Sequence, residues 1–420
     1  MANRGGMPRL SLAAACLAAI FSHSFYTGVR LALAVLALKL TNSPATVGVV
    51  MMAYALLPAL LSPRIGRAAD RHGVRPLLHG CLWLLVGSGL ALWGLPPHTA
   101  VLMAAAALVG LGFNAFAVSI QKTIGGLPPT ERQRDVPAAQ RRKRNLGALA
   151  TASSISSFAG PLLAGWGLDH LPAGAVFGAL ALLPLLAWGL SLGWQLPPGT
   201  AAGAKPAAAN ATAAPAAAAV HAPVPAPVPA PAHPGSPLLA RELWPLAVAI
   251  VMLTVAGDAL GFLTPIIGQQ QGLSATTVGS IVSAFALGAF VIRLTSAWFI
   301  AKLPEWLYLG VTLLACAVIV LLYGQATSVA ALMGLSFTAG AWLGLAQPMT
   351  QSLLHHSVPE HRVGEALGAR LALVGGAQTA GPLVFGLGAQ ALGVAPTLAI
   401  AAAALAASGT YALRAGKRLA

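Results

Sequence analysis

Asp258 is the residue in this sequence whose placement most needs a chemical explanation. It stands in Gly257-Asp258-Ala259-Leu260-Gly261, inside an apolar run that spans 243–267. A carboxylate in such a run is costly, and its short side chain cannot reach water at either end. Pro265 lacks an N–H and leaves the Gly261 carbonyl without its usual partner. An interrupted, glycine-containing helix of this kind is a common binding element in the middle of a membrane. A role in proton coupling is therefore expected for Asp258, ahead of a purely structural ion pair. His23, Tyr26 and Arg30 form a second set, spaced three and seven residues apart so that they share one helix face. At 1.5 Å per residue, Arg30 lies about 9 Å from the centre of its own run. Its guanidinium either reaches outward to the surface or faces a cavity with Asp258. A carboxylate in hydrocarbon favours its neutral form and a nearby guanidinium favours the charged one. Bringing Asp258 and Arg30 together and parting them would thus release and take up a proton.

Other polar residues within apolar runs are fewer and less specific. Asn114, Gln347, Thr350 and Gln378 offer neutral hydrogen bonds, either to a solute or between helices. Arg293 and Arg370 lie toward one end of their runs and are read as structural or gating residues. His355, His356 and His361 lack H-E-x-x-H spacing, so no metal site is expected. Cys16, Cys81 and Cys316 fall in apolar runs and suit packing better than disulfides. There is no G-x-x-x-x-G-K-[ST] phosphate loop, and no paired carboxylates or nucleophile triad. Neither an enzyme nor a bound cofactor is expected.

The elements that must position these residues follow from composition. Of 420 residues, 57% are hydrophobic and 8% charged, and mean hydropathy is +0.78. Apolar runs of membrane-spanning length recur near 10–39, 45–66, 76–95, 98–121, 145–168, 172–194, 243–267, 275–300, 305–324, 328–354, 364–390 and 394–414. The expected class is all-α, with twelve transmembrane helices. The first run begins like a signal peptide, with Arg4 and Arg9 before Leu12 to Cys16, but it continues to Leu38, too far for one. If both termini are cytoplasmic, every Lys and Arg except Arg30, Lys39 and Arg293 falls on that side. This asymmetry is the positive-inside rule. It accounts for the net charge of +15 without a nucleic-acid partner, since no basic stretch is interleaved with stacking aromatics. Residues 196–240 are almost wholly alanine and proline, a composition that holds extended conformations and acts as a linker. They divide the chain into bundles at 1–195 and 241–420.

The two bundles repeat each other. Ser43-Pro-Ala-Thr-Val-Gly48 returns after 231 residues as Ser274-Ala-Thr-Thr-Val-Gly279. Ser43 and Ser274 suit helix N-caps. Ala159-Gly-Pro-Leu162 returns after 221 residues as Ala380-Gly-Pro-Leu383. Between the second and third runs stands Gly66-Arg67-Ala68-Ala69-Asp70-Arg71-His72-Gly73-Val74-Arg75. Its spacing, G-x-x-x-D-R-x-G-x-R, resembles the signature loop of the major facilitator superfamily. That resemblance, with the internal repeat, covers nearly the whole chain. It implies two pseudo-symmetric six-helix bundles with a solute held between them, and gating roles for Gly66, Asp70, Arg71, Gly73 and Arg75. In the fifth run, Gly147, Ser156, Gly160-Pro161 and Ala164-Gly165 look like the motif of proton-coupled drug antiporters, in which Gly160 and Pro161 would act in gating. Generic helix packing reads the same residues equally well. In the fourth run, Ala106 stands where such antiporters often carry an arginine.

The resulting expectation is a monomeric secondary transporter in a bacterial inner membrane. It would move a small organic solute by alternating access with protons, most readily in export. Proton-coupled uptake of an organic anion is the alternative, and a non-transporting receptor or scaffold is the reading from another class. Asp258 is the expected coupling acid. His23, Tyr26, Arg30, Asn114, Gln347 and Gln378 are the expected contacts to the solute.

Overall fold

A computed structural model describes residues 11–127, 136–194, 243–295, 304–358 and 362–419. Helices make up the fold: α1 (Leu12–Thr41), α2 (Pro44–Arg71), α3 (Val74–Gly94), α4 (Thr99–Gly125), α5 (Ala138–His170), α6 (Ala173–Ser191), α7 (Trp244–Gln270), α8 (Ala275–Thr295), α9 (Glu305–Tyr323), α10 (Val329–Leu343), α11 (Ala346–Ser357), α12 (Val363–Leu392) and α13 (Val394–Leu419). Twelve segments are long and apolar enough to cross a membrane, with α10 and α11 joined in the tenth. Helices suit that setting because each satisfies its own backbone where no water is present. The alanine–proline tract, Arg4, Arg9 and His361 lie outside the described residues.

Helix ends follow the local chemistry. Ser43 Oγ accepts the N–H of Thr46 (3.3 Å) and Ser274 Oγ that of Thr277 (3.2 Å), the caps expected of them. α1 stops at Asn42, whose φ of 49° is left-handed. Gly73, at φ 83°, makes the turn between α2 and α3 that a side chain would strain. The helix expected to begin near 145 begins at Ala138, so the basic residues Arg141 to Arg144 extend α5 beyond its apolar part.

One expectation fails. α7 runs unbroken through Pro265, since proline removes a single hydrogen bond and dense packing retains the helix. The interruption lies instead in the tenth span, at Gly344-Leu345. Carbonyls freed there find other donors. The Tyr308 hydroxyl donates to Trp342 O (2.5 Å), and Arg293 Nε donates to Gly344 O (3.0 Å).

The two halves pack by one plan. In the first, α1 lies against α5 and α6, α2 against α4, and α3 against α4 and α6. In the second, α7 lies against α12 and α13, α8 against α10, and α9 against α10 and α13. Phe25, Phe116, Phe177 and Tyr323 are fully buried, while Trp93, Leu182, Leu294 and Val384 are exposed. A surface with that much exposed apolar area is one that lipid covers. Two seams join the halves, α2 with α12 and α5 with α8.

Candidate functional site

Between the halves lies a cavity of about 570 Å³. The first half lines it with Tyr26, Tyr54 and Phe113; the second adds Asp258, Arg293, Gln347, Thr350, Arg370 and Gln378. A smaller space of about 120 Å³ adjoins it, sharing Phe113, Gly257, Phe285 and Arg293 and lined further by His23, Arg30 and Pro161. The contributing parts of α2, α7 and α12 are those nearer the face where α1 begins and α13 ends.

Above the cavity, toward the opposite face, the halves are fastened. Arg30 Nη2 on α1 meets Asp258 Oδ1 on α7 at 3.3 Å. The Asp258 side chain is 2% exposed and that of Arg30 24%. Asp258 Oδ2 has no hydrogen-bond partner. The pair is therefore a latch whose carboxylate is desolvated and has one oxygen left over, while the guanidinium is partly open to the smaller cavity. Further out, Gln269 Nε2 donates to Asn42 Oδ1 (3.1 Å). Asp169, at the end of α5, accepts the N–H groups of Ala275 (2.9 Å) and Thr276 (2.7 Å). A carboxylate there is favoured by the dipole of α8 and by its unsatisfied first N–H groups.

The seams are built on glycine. A side chain on Gly48 would strike the Pro382 carbonyl, and one on Gly386 the Pro44 carbonyl. Likewise, a side chain on Gly279 would strike the Pro161 carbonyl, and one on Gly165 that of Ala275. The two sequence repeats thus meet each other: the Ser43–Gly48 segment packs on the second Gly-Pro segment, and Ser274–Gly279 on the first. Small residues let helix backbones approach this closely.

A profile of the Major Facilitator Superfamily matches residues 15–382 and 246–418. The chain belongs to that superfamily. No curated protein matches the sequence. As a facilitator it is an integral membrane protein of a family that moves small solutes across a lipid bilayer.

Within this facilitator, the candidate residues separate by position. Asp258, Tyr26, Gln347, Gln378, Arg293 and Arg370 line the larger cavity, and His23 and Arg30 the smaller. His23 Nδ1 is 2.6 Å from Ser156 Oγ, and its ring stacks on Phe113 at 5.1 Å. Tyr26 stacks on Phe113 at 4.1 Å, and Tyr54 donates its hydroxyl to Tyr26 O (2.6 Å). Asn114 is not at the cavity. It is fully buried between α4 and α2, where Nδ2 donates to Ser62 Oγ (2.5 Å) and Pro58 O (3.3 Å). Gly160 packs on Ser24 and Thr27 of α1, whereas Pro161 belongs to the α5–α8 seam. Gly66 lies within α2, and Arg71, Gly73 and Arg75 surround the turn into α3. Asp70 Oδ1 meets Lys122 Nζ at 2.6 Å, an exposed pair within the first half.

Three features of the site escaped the sequence reading. Tyr54, Phe113 and Phe285 complete an aromatic wall that no local spacing announces. Asp169 reads as an ordinary acid at a helix end, although acids number only 9 in the chain. Arg370, read as a gating residue near the end of its run, is buried at 5% exposure.

Proposed function

We propose that this facilitator couples movement of a small organic solute to protons, with Asp258 as the proton carrier. The observation that carries the proposal is the Arg30–Asp258 pair, which ties α1 to α7 at the roof of the cavity. An ion pair of this kind, with its carboxylate desolvated, holds only while the acid is ionised. A proton on Asp258 removes the attraction and frees one fastening of the outer side. Re-formation of the pair expels the proton. Proton binding and opening are therefore linked, and each shifts the other by the same free energy. Tyr26 and Phe113 provide apolar surface for the solute, while Gln347, Thr350 and Gln378 provide hydrogen bonds.

The concentration of Lys and Arg at the face bearing Arg64 to Arg75 supports cytoplasmic termini in a bacterial inner membrane. The cavity then opens on the cytoplasmic side while the outer side is shut. A monomer suffices, because both cavity walls come from one chain. The fifth-span motif favours export, although its Gly160, Pro161 and Gly165 are engaged in packing that serves either direction. A second reading, proton-coupled uptake of an organic anion, is favoured by cavity charge. Arg293 and Arg370 line the cavity, and Asp258, its acidic lining residue, already faces Arg30.

The test is flux in proteoliposomes across a metabolite and drug panel with an imposed pH gradient. Asp258→Asn should abolish proton-driven accumulation and retain downhill exchange. If Asp258→Asn still concentrates solute with the wild-type pH dependence, the acid is structural and the proposal fails.

A further inference from the structure

Arg370 is a buried cation with no carboxylate paired to it among the described residues. It stands two turns into α12, is 5% exposed, and lines the larger cavity. Its Nε has no hydrogen-bond partner. The described acids are all engaged elsewhere. Asp70 meets Lys122, Asp258 meets Arg30, Glu365 meets Arg362, Glu305 meets His356 and Ser352, and Asp169 caps α8. None of these contacts involves Arg370. A guanidinium removed from water without a counter-charge is costly, and a structural arginine in such a place is normally repaid by an acid within reach. The cavity it lines is otherwise furnished with the neutral side chains of Gln347, Thr350 and Gln378, with Arg293, and with Asp258, which is already paired to Arg30.

We propose that Arg370 is the anchor for a carboxylate on the transported solute, which makes the solute a small organic monocarboxylate with an apolar body. This rests on the transport reading and names the class of its cargo. The planar guanidinium fork matches a carboxylate in two parallel hydrogen bonds, which an ammonium cannot reproduce. The Gln347 amide and the Thr350 hydroxyl, which line the same cavity, offer neutral donors suited to a singly charged group. A phosphate dianion would call for more cationic donors, and Arg293, which lines the same cavity, is tied through Nε to Gly344 O at 3.0 Å. The stacked Tyr26–Phe113 pair, 4.1 Å between ring centroids, and Phe285 give the apolar body a surface. The charge balance also closes. One carboxylate on Arg370 travelling with one proton on Asp258 moves no net charge, so the membrane potential does no work on the loaded step.

The experiment measures binding on the full-length protein in detergent, by thermal unfolding at constant ionic strength. The probes are benzoate and phenylacetate, their neutral amides, and inorganic phosphate. The acids should stabilise the wild type and the amides should not. Arg370→Gln should remove that shift, raising the acid concentration needed by at least roughly tenfold, and Arg370→Lys should restore part of it. Without ligand, Arg370→Gln should unfold at the wild-type temperature or above, because it removes an uncompensated charge. The inference is overturned if the wild type shows no preference for acid over amide, or if phosphate stabilises it and the acids do not. It is also overturned if Arg370→Gln retains the acid shift. The readout needs no gradient. An intact acid shift beside unaltered proton coupling in Asp258→Asn would sink the coupling proposal and leave this one standing.

Discussion

The seams α5–α8 and α2–α12 are copies of one design, yet only one of them carries a charged latch. Both set a glycine near the start of one helix, α8 or α2, against a Gly-Pro segment, Gly279 on Pro161 and Gly48 on Pro382. Both return the contact nearer the helix starts of α8 and α2, Gly165 on Ala275 and Gly386 on Pro44. They part company at the end opposite the face where α1 begins. Asp169 takes the first N–H groups of α8, whereas the corresponding residue of α12, Gln390, is exposed and makes no hydrogen bond among the described residues. The reason is visible in the helix starts. α8 begins with Ala275, which has an N–H to give, but α2 begins with Pro44, which has none. A carboxylate at 390 would find the N–H of Ala45 alone, since Thr46 is already capped by Ser43. Packing therefore shapes both seams, and electrostatics closes one.

Overfilling the seams should have the largest effect. Gly279→Leu and Gly48→Leu each force a side chain into a carbonyl, at a cost of about 1–3 kcal/mol, or roughly fivefold to hundredfold in the closed population. Transport should fall in both. A cysteine placed in the cavity by Leu253→Cys, with the three native cysteines replaced by serine, should become reactive to an impermeant maleimide added outside. Unequal loss between the two variants would show that the seams do not share the packing load. A smaller effect is expected of Asp169→Asn, which keeps the shape and discards the charge. At an exposed helix end this is worth about 1 kcal/mol, a severalfold rise in outside labelling that high salt should mimic in the wild type. No change would reduce the latch to a contact without energetic weight. The smallest effect belongs to Gln390→Asp, which gains one donor. Paired with Pro44→Ala, it should slow outside labelling further than alone, and equal slowing would refute the role assigned to the missing N–H.

Much of this architecture was legible in the sequence, but not its pairings. Length and hydropathy placed the helices, and the caps at Ser43 and Ser274 marked where two of them start. The repeats announced two similar halves. They did not disclose that each repeat packs on the other, because periodicity reports which residues share a face and never what that face meets. Depth along a helix was readable by counting residues, whereas rotation was not. Hence Arg370 reads as a residue able to reach the surface, and Asn114 reads as a cavity residue when it fastens α4 to α2. The break in the tenth span escaped for a related reason. Gly344 is one glycine among 46, and only the donors that Tyr308 brings to Trp342 O and Arg293 to Gly344 O mark the break.

The Asp169 latch also bears on how such a seam would evolve. Its partners are main-chain groups, so any residue but proline at 275 and 276 presents the same two donors. Changes there need no matching change at 169, and the contact leaves no covarying pair of side chains. Exchanging charges between partners, the usual route to second-site suppression, is closed to it. A suppressor of Asp169→Ala would have to arise by tightening the glycine packing below, and in distant relatives the latch would be traceable only as an acid at the end of the fifth span.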